Sequence, residues 1–522
     1  MARILVTETI AEGGLERLRG AGHDVDVRLD LDAEGLARAV VGCDALIIRS
    51  ATQVTAEVLA AATTLSVVGR AGIGLDNVDV AAATERGVMV CNAPQSNVVS
   101  AAEHTVALLL ASARNIPQAD AALRAGRWER TRWNGVEVYE KTLGIVGLGR
   151  VGRLVAQRML SFGMRLIAYD PYVSAERARQ MSVELVDLDE LVAQADFVTV
   201  HLPKTPDTVG LIGKDLLARA KPTMRLVNTA RGGIVDEEAL AQAVGDGVIA
   251  GAALDVFAAE PTTESPLFGV DNTVVTPHLG ASTTEAQDKA GMSIAEQVLL
   301  ALDGAFVPFA VNVAASEAAE ALRPFLPLAE RLGAFHAALS RGTSDVLEIY
   351  VEGELADYDT RIVTLSVLKG LFGRISDEPV TYVNAPRLAE RHGVEVREIN
   401  STTAHEYVNL LRVRGGGHSV AGTLVGRSLE PRIVMVDEHE VEVPPADHLV
   451  VIRNDDRPGM IGVVGTAFGD AGVNISFMAL GRDAKGELAL MALATDGPTP
   501  DELVESLRGT DGIRAVHAVA LG

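Results

Sequence analysis

Short apolar runs separated by stretches of helical period recur from the first residues of the chain. Ile4–Val6, Ala45–Ile48, Ser66–Val68 and Val88–Val90 read as buried strands, each followed by an amphipathic segment. Apolar runs alternating with helical patterns predict a parallel sheet covered by helices on both faces. A long helical pattern spans Val98 to about Ala125, apolar through Val106, Leu109 and Leu110. The alternation resumes with Leu143–Val146, Leu166–Tyr169, FVTVHLP (197–203), RLVNTA (225–230), IAGAALDVF (249–257) and NTVVTPH (272–278), predicting a second, larger sheet. A helix over Thr284–Leu302 can carry the chain back to the first sheet. From about Ala315 the pattern changes to helical stretches and short strands. They include a Gly415-Gly416-Gly417 turn, a hairpin-like pair (432–436 and 440–443) and a Pro444-Pro445 linker. The remainder reads strand (His448–Ile452), helix (Pro458–Ala471), strands (Asn474–Leu480, Glu487–Ala494), helix (Pro500–Leu507) and strand (Ile513–Leu521). That is the βαββαβ order of a ferredoxin-like unit, and its His517, in an apolar strand, reads as packed rather than reactive.

The stretch Thr142–Asp170 carries the clearest chemistry. Gly147, Gly149 and Gly152 stand in G-x-G-x-x-G spacing between a strand and a helix, and the following strand ends in Asp170. Gly147 permits the tight turn, Gly149 lets the backbone approach a pyrophosphate, and Gly152 lets helix and strand pack closely. The helix N-terminus offers free N–H groups to the phosphates. A carboxylate at the second strand end accepts the ribose hydroxyls of NAD and repels the 2′-phosphate of NADP. NAD is the expected cofactor.

Composition narrows the class. At roughly 150 residues per domain, 522 residues suggest three or four domains. Against 46 Lys and Arg stand 70 Asp and Glu, a net charge of −24 that argues against non-specific binding to nucleic acid or anionic membrane. An anionic substrate therefore needs a local basic site. Cys43 and Cys91 sit beside apolar runs and read as small core residues, not as a disulfide or metal site. The opening MARILVTETI reads as a strand, and no apolar run reaches the ~18 residues of a membrane span, so a cytoplasmic protein is expected.

Oxidation of a hydroxy acid requires a carboxylate anchor and a base that takes the hydroxyl proton. Arg231 in NTARGGIVDE has the planar fork for the first role. His278 in TPHLGAST titrates in the right range for the second, and Glu260 in LDVFAAEP can hydrogen-bond its imidazole. Each residue alone has an ordinary structural reading. Their joint position at successive strand ends, downstream of the glycine turn, favours a site. Arg49 and Arg70 also close strands, where open α/β sheets place ligands.

GLGRVG, NTARGGIVDE, GAALDVFAAEP and TPHLGAST, with VGRAGIGLDNVD upstream, resemble the NAD-dependent D-2-hydroxyacid dehydrogenases. The likeness covers essentially the whole chain. It is closest to long members that oxidise 3-phospho-D-glycerate to 3-phosphohydroxypyruvate in the first step of phosphorylated L-serine formation. It implies Arg231, Glu260 and His278 as the catalytic set. It implies NAD contacts from Gly147, Gly149, Arg150, Val151, Gly152, Asp170, Thr229, Ala230, Arg231, Asp255 (at the nicotinamide end), His278, Leu279, Gly280 and Ala281. Ile73 and Leu202 stand where some relatives carry a cofactor-contacting Thr. Arg49, Arg70 and Arg130 become the substrate's basic site: Arg70 for the carboxylate side, Arg49 and Arg130 for the phosphate.

The implied fold is two Rossmann-like doubly wound parallel-sheet domains, one inserted in the other, followed by an α+β intervening domain and a ferredoxin-like ACT domain. The implied boundaries are 1–97 with 285–316 for substrate, 98–284 for NAD, 317–446 for the intervening domain and 447–522 for the ACT domain. An ACT domain implies serine as effector at Asn454, Asp456 and Asn474, although those residue types also suit caps and turns. The long form implies a homotetramer. Glycerate, hydroxypyruvate and 2-hydroxyglutarate remain alternative substrates, and an NAD-sensing corepressor is the alternative outside enzymes. The two extra C-terminal units and the acidic charge weigh against these.

Overall fold

The structure, a computed structural model, describes residues 1–521 except 314–319, 377, 405, 438 and 483–486. The boundary expected at 316/317 lies outside the described residues. Strands β1 (Arg3–Val6), β2 (Asp24–Val27), β3 (Ala45–Ile48), β4 (Val67–Arg70) and β5 (Met89–Cys91) form a parallel sheet in the order β2-β1-β3-β4-β5. β1 and β3 are almost wholly buried, as their unbroken apolar runs require. β2 is an addition to the expected strands: its DVDV sequence alternates charge with valine and pairs on one side only, so no apolar run marks it.

The second sheet contains β6 (Thr142–Val146), β7 (Arg165–Tyr169), β8 (Glu184–Leu185), β9 (Phe197–Val200), β10 (Arg225–Asn228), β11 (Gly251–Leu254) and β12 (Thr273–Val275). Its order, β12-β11-β10-β9-β6-β7-β8, is doubly wound, and strand order reverses between β6 and β9. That reversal opens a crevice beyond the strand C-termini, where such sheets bind ligands. The helix expected over Val98 to Ala125 is two helices, Val98–Ala113 and Ile116–Arg124. Asn115 takes a left-handed φ of 52° between them, and Pro117 in the first turn of the second helix cannot extend the earlier hydrogen-bond ladder.

The helix Thr284–Leu302 returns to the first sheet. Its Ile294 and Val298 lie over Gly69 of β4, and a Cβ on Gly14 would stand 2.7 Å from the Gly291 carbonyl, so two helices cross there backbone to backbone.

The third unit is a mixed sheet, β14-β13-β15-β16-β17-β18, made from β13 (Val346–Gly353), β14 (Glu395–Ser401), β15 (Asn409–Gly415), β16 (His418–Val425), β17 (Glu430–Val436) and β18 (His439–Val443). Gly416 and Gly417, both at positive φ, close the β15–β16 hairpin. The fourth unit is β20-β21-β19-β22, from β19 (His448–Asp455), β20 (Ile475–Arg482), β21 (Leu488–Thr495) and β22 (Ile513–Ala520). Val450 and Ile452 of β19 face that unit's helices, while Leu449 and Val451 join the core of the third unit. The Pro444-Pro445 connection therefore joins two sheets packed on each other. Among the described residues no helix is long and apolar enough to cross a membrane.

Candidate active site

Two loops face each other across the crevice. From the second sheet comes the segment after β12, Thr276-Pro277-His278. His278 holds a left-handed φ of 55°, with its amide donating to the Asp255 carbonyl at 2.8 Å. Its Nδ1 lies 2.6 Å from Glu260 Oε2, and the other oxygen of that carboxylate accepts the Phe257 amide at 2.8 Å. Burial works to raise the Glu260 pKa, but the hydrogen bonds from His278 and the Phe257 amide outweigh it and hold the carboxyl below its ordinary range. A carboxylate on Nδ1 fixes the imidazole plane and leaves Nε2 for a substrate proton.

From the first sheet come Arg49, beyond β3, and Arg70, at the end of β4. Both line the cavity of about 660 Å³ that also contains Glu260 and His278. Phe257 and Phe268, edge to face at 5.3 Å, form part of its apolar wall. Burial, reinforced by the nearby charge of Arg231, pushes Arg70 down to about 10. Arg231 Nε lies 3.3 Å from Asp76 Oδ2 of the first unit, so this side chain spans the crevice. The glycines of VGRAGIG make room for both arginines: a Cβ on Gly74 would lie 2.6 Å from Arg231 Nη2, and one on Gly72 would collide with Arg70. Arg130 is not brought in. It is exposed on the loop after the helix Ile116–Arg124, outside the cavity wall.

Sequence reasoning overlooked Glu8. Its carboxylate accepts the amides of Arg49, Ala51 and Thr52 at 2.8, 3.1 and 2.9 Å, tying down the loop that presents Arg49. Burial opposes its charge, but those amides prevail and lower its pKa. His104 was also overlooked. It lies 3.1 Å from both Asp255 Oδ1 and Thr276 Oγ1. Neither residue sits in a motif, and their partners are remote in sequence.

The nucleotide turn fits a dinucleotide. Gly147 has φ 96°, a Cβ on Gly152 would collide with the Gly147 carbonyl, and a Cβ on Gly149 would meet no protein atom within 4 Å. That open face lies at the N-terminus of the helix Arg150–Ser161, where a pyrophosphate can approach the amides. Asp170 sits at the end of β7, its carboxylate already accepting the Leu148 and Tyr172 amides at 2.8 and 2.9 Å. Arg150 is exposed and donates to the Pro94 carbonyl at 3.2 Å, while Val151 packs against the core. Thr229 and Ala230 follow β10, with Thr229 Oγ1 2.6 Å from Thr105 Oγ1. Leu202 packs over Gly147, and the Ile73 carbonyl accepts Asn92 at 2.7 Å.

Asp255 departs from expectation. It is fully buried, and its carboxylate accepts Thr276 Oγ1 at 2.6 Å and the Leu279 and Gly280 amides at 2.7 and 2.8 Å. It thus anchors the turn carrying His278, with no surface left for the direct nicotinamide bond expected. Leu279 and Gly280 spend their amides on it, and Ala281 lines the cavity.

In the fourth unit Asn454 and Asp456 lie together. Asn454 is buried, its Nδ2 bonded to the Asp455 carbonyl, and Asp456 pairs with Arg482 at 2.9 Å. Asn474 does not join them. It bonds Asp496 beyond the far end of β21, whereas Asp455 pairs with Leu488 at the near end, roughly 25 Å away along the strand.

Residues 106–280 match the model of the D-isomer specific 2-hydroxyacid dehydrogenase NAD binding domain. Residues 321–437 match the D-3-phosphoglycerate dehydrogenase intervening domain, and residues 448–512 match the ACT domain. The chain is 49% identical to a D-3-phosphoglycerate dehydrogenase of Mycobacterium tuberculosis, over 96% of both chains. It is 43% identical to one of Archaeoglobus fulgidus, over 98% of both. Among solved structures it resembles an NAD-dependent formate dehydrogenase from Staphylococcus aureus in complex with NAD, at 32% identity and a TM-score of 0.52, covering 58% of this chain and 96% of that one.

Proposed function

The chain belongs to the D-3-phosphoglycerate dehydrogenase family, and from that premise we propose that this NAD-dependent oxidoreductase converts 3-phospho-D-glycerate to 3-phosphohydroxypyruvate at the head of serine formation. The observation that carries the reading is the His278–Glu260 pair, 2.6 Å apart, in the wall of one cavity with Arg49 and Arg70. Bound NAD supplies the hydride acceptor. The Gly147–Gly152 turn would hold its pyrophosphate and Asp170 its ribose, a carboxylate there selecting against a 2′-phosphate.

In this reading His278 Nε2 takes the hydroxyl proton, while the Glu260 carboxylate accepts the Nδ1–H hydrogen bond and steadies the positive charge that builds on the ring. Arg231 grips the substrate carboxylate and polarises the forming carbonyl. Arg70 supplies a second cation on the carboxylate side, and Arg49 meets the phosphate. Concentrated positive charge of this kind suits a phosphorylated acid in a chain of net charge −24. Residues 98–284 serve as the cofactor half and residues 1–97, with the returning helix, as the substrate half. NADH formation from 3-phosphoglycerate tests the reading; turnover of unphosphorylated D-glycerate with none of the phosphorylated acid overturns it.

Serine is the effector we propose for the ACT domain. A site using Asn454, Asp456 and Asn474 takes Asn474 from a second copy of the chain, which suits the homotetramer that the family's long form implies. Serine titrated into the same assay is expected to depress the rate.

A further inference from the structure

We propose that His104 is a positioning residue for proton transfer, acting on His278 through the buried carboxylate of Asp255. The inference rests on the reading of His278 as the proton acceptor.

A fully buried carboxylate persists only where donors replace its lost hydration. Asp255 has four. Thr276 Oγ1, the Leu279 amide and the Gly280 amide bracket His278 in sequence, and the fourth is the His104 ring, from a different element, the helix Val98–Ala113. Asp255 also takes the His278 amide on its own backbone carbonyl. The carboxylate and carbonyl together clamp both sides of a residue held at φ 55°, a backbone conformation that L residues rarely adopt and that needs outside support. Burial works to raise the Asp255 pKa, and the His104 and Thr276 hydrogen bonds, with the Leu279 amide, overcome it, so the clamp is a charged one.

The network fixes the His104 tautomer. The Thr276 hydroxyl donates to Asp255 Oδ1 at 2.6 Å, which leaves His104 Nε2 to be the donor toward both oxygens at 3.1 Å. Without that donor the carboxylate keeps only bonds to the turn it must hold. It then recovers solvation most easily by pulling that turn out of place. The consequence falls on His278, whose imidazole must meet the substrate hydroxyl within a fraction of an ångström. His104 touches neither substrate nor reacting atom in this scheme. Its effect is on the rate of the chemical step, not on binding.

The test compares His104→Phe, which keeps ring volume but removes the donor, with His104→Gln, which restores an amide donor. In the full-length enzyme His104→Phe is expected to lower kcat by about 10- to 100-fold, with KM for 3-phosphoglycerate and Kd for NAD within about threefold of wild type. His104→Gln is expected to regain most of kcat. Thr276→Val removes a second donor to the same carboxylate, so its kcat loss should be markedly less than additive with that of His104→Phe. Should His104→Phe not fold, Thr276→Val and His104→Gln carry the comparison. Wild-type kcat in His104→Phe, equal losses in the Phe and Gln variants, or NAD affinity falling in step with kcat each overturn the proposal. His278→Gln in the same assay separates the premise from the inference. Full turnover there removes the His278 reading, whereas its loss beside an unimpaired His104→Phe removes only the role of His104.

Discussion

Arg70 shows how much of this site depends on where single side chains are held. Burial and the neighbouring Arg231 bring its guanidinium down to about 10, well below the ordinary arginine value. It is charged below that pH and loses its proton as pH rises through it. An anionic substrate should therefore bind progressively less well across the window, and KM for 3-phosphoglycerate is expected to rise as pH passes about 10. In Arg70→Gln, with a higher KM throughout, that rise should vanish; a persisting rise assigns it to another group. At His278 the effect should fall on the chemical step instead. His278→Gln is expected to lose at least about 100-fold in kcat, the scale of general acid–base catalysis, measured by NADH production. Arg70, Arg231, Glu260 and His278 were legible in the sequence because each lies at a strand end or in the loop just beyond one, inside a motif whose residue types match one chemical need. Glu8, His104 and the structural use of Asp255 were not. Their roles lie in partners that only the fold brings near, as when Glu8 reaches three amides beyond β3.

Among the elements, the turn between β6 and its helix separates two uses of glycine that the spacing G-x-G-x-x-G cannot distinguish. A Cβ on Gly152 would strike the Gly147 carbonyl, whereas one on Gly149 would meet no protein atom within 4 Å. Gly152→Ala is therefore expected to destabilise the whole turn, lowering the midpoint of thermal unfolding and NAD affinity together. Gly149→Ala should leave unfolding unchanged and weaken NAD binding alone, by about tenfold or more, since its methyl group stands where the pyrophosphate approaches. Calorimetry and NAD titration on both variants check this, and unchanged affinity in Gly149→Ala would remove that face from the nucleotide site. The element pattern itself was readable wherever a short apolar run met a local punctuator, as in β6, β7 and β9–β12. It failed at β2, whose alternating acids mask an edge strand, and at Asn115, where one left-handed residue breaks an otherwise continuous helical period.

At the scale of the whole molecule the units share apolar contacts, so the ACT domain is not a loosely tethered appendage. Leu449 and Val451 of the fourth unit lie in one continuous core with Leu347 and Val413 of the third, and that core reaches Ile294 and Val298 of the helix lying over Gly69. The placement of the proposed serine residues sets a constraint that one chain cannot meet. Asn454 and Asp456 stand near Leu488 at one end of β21, and Asn474 stands beyond Thr495 at the other. A site using both ends must be completed by another copy, so its two halves can be disabled separately. Asp456→Ala and Asn474→Ala enzymes should each lose serine inhibition while retaining turnover. When the two are unfolded and refolded as a mixture, each mixed pair of chains carries one site with both lesions and one with neither. Serine inhibition should then reappear in part, in proportion to the mixed pairs formed. Its absence in mixtures shown to have exchanged subunits would place serine within a single chain or away from these residues.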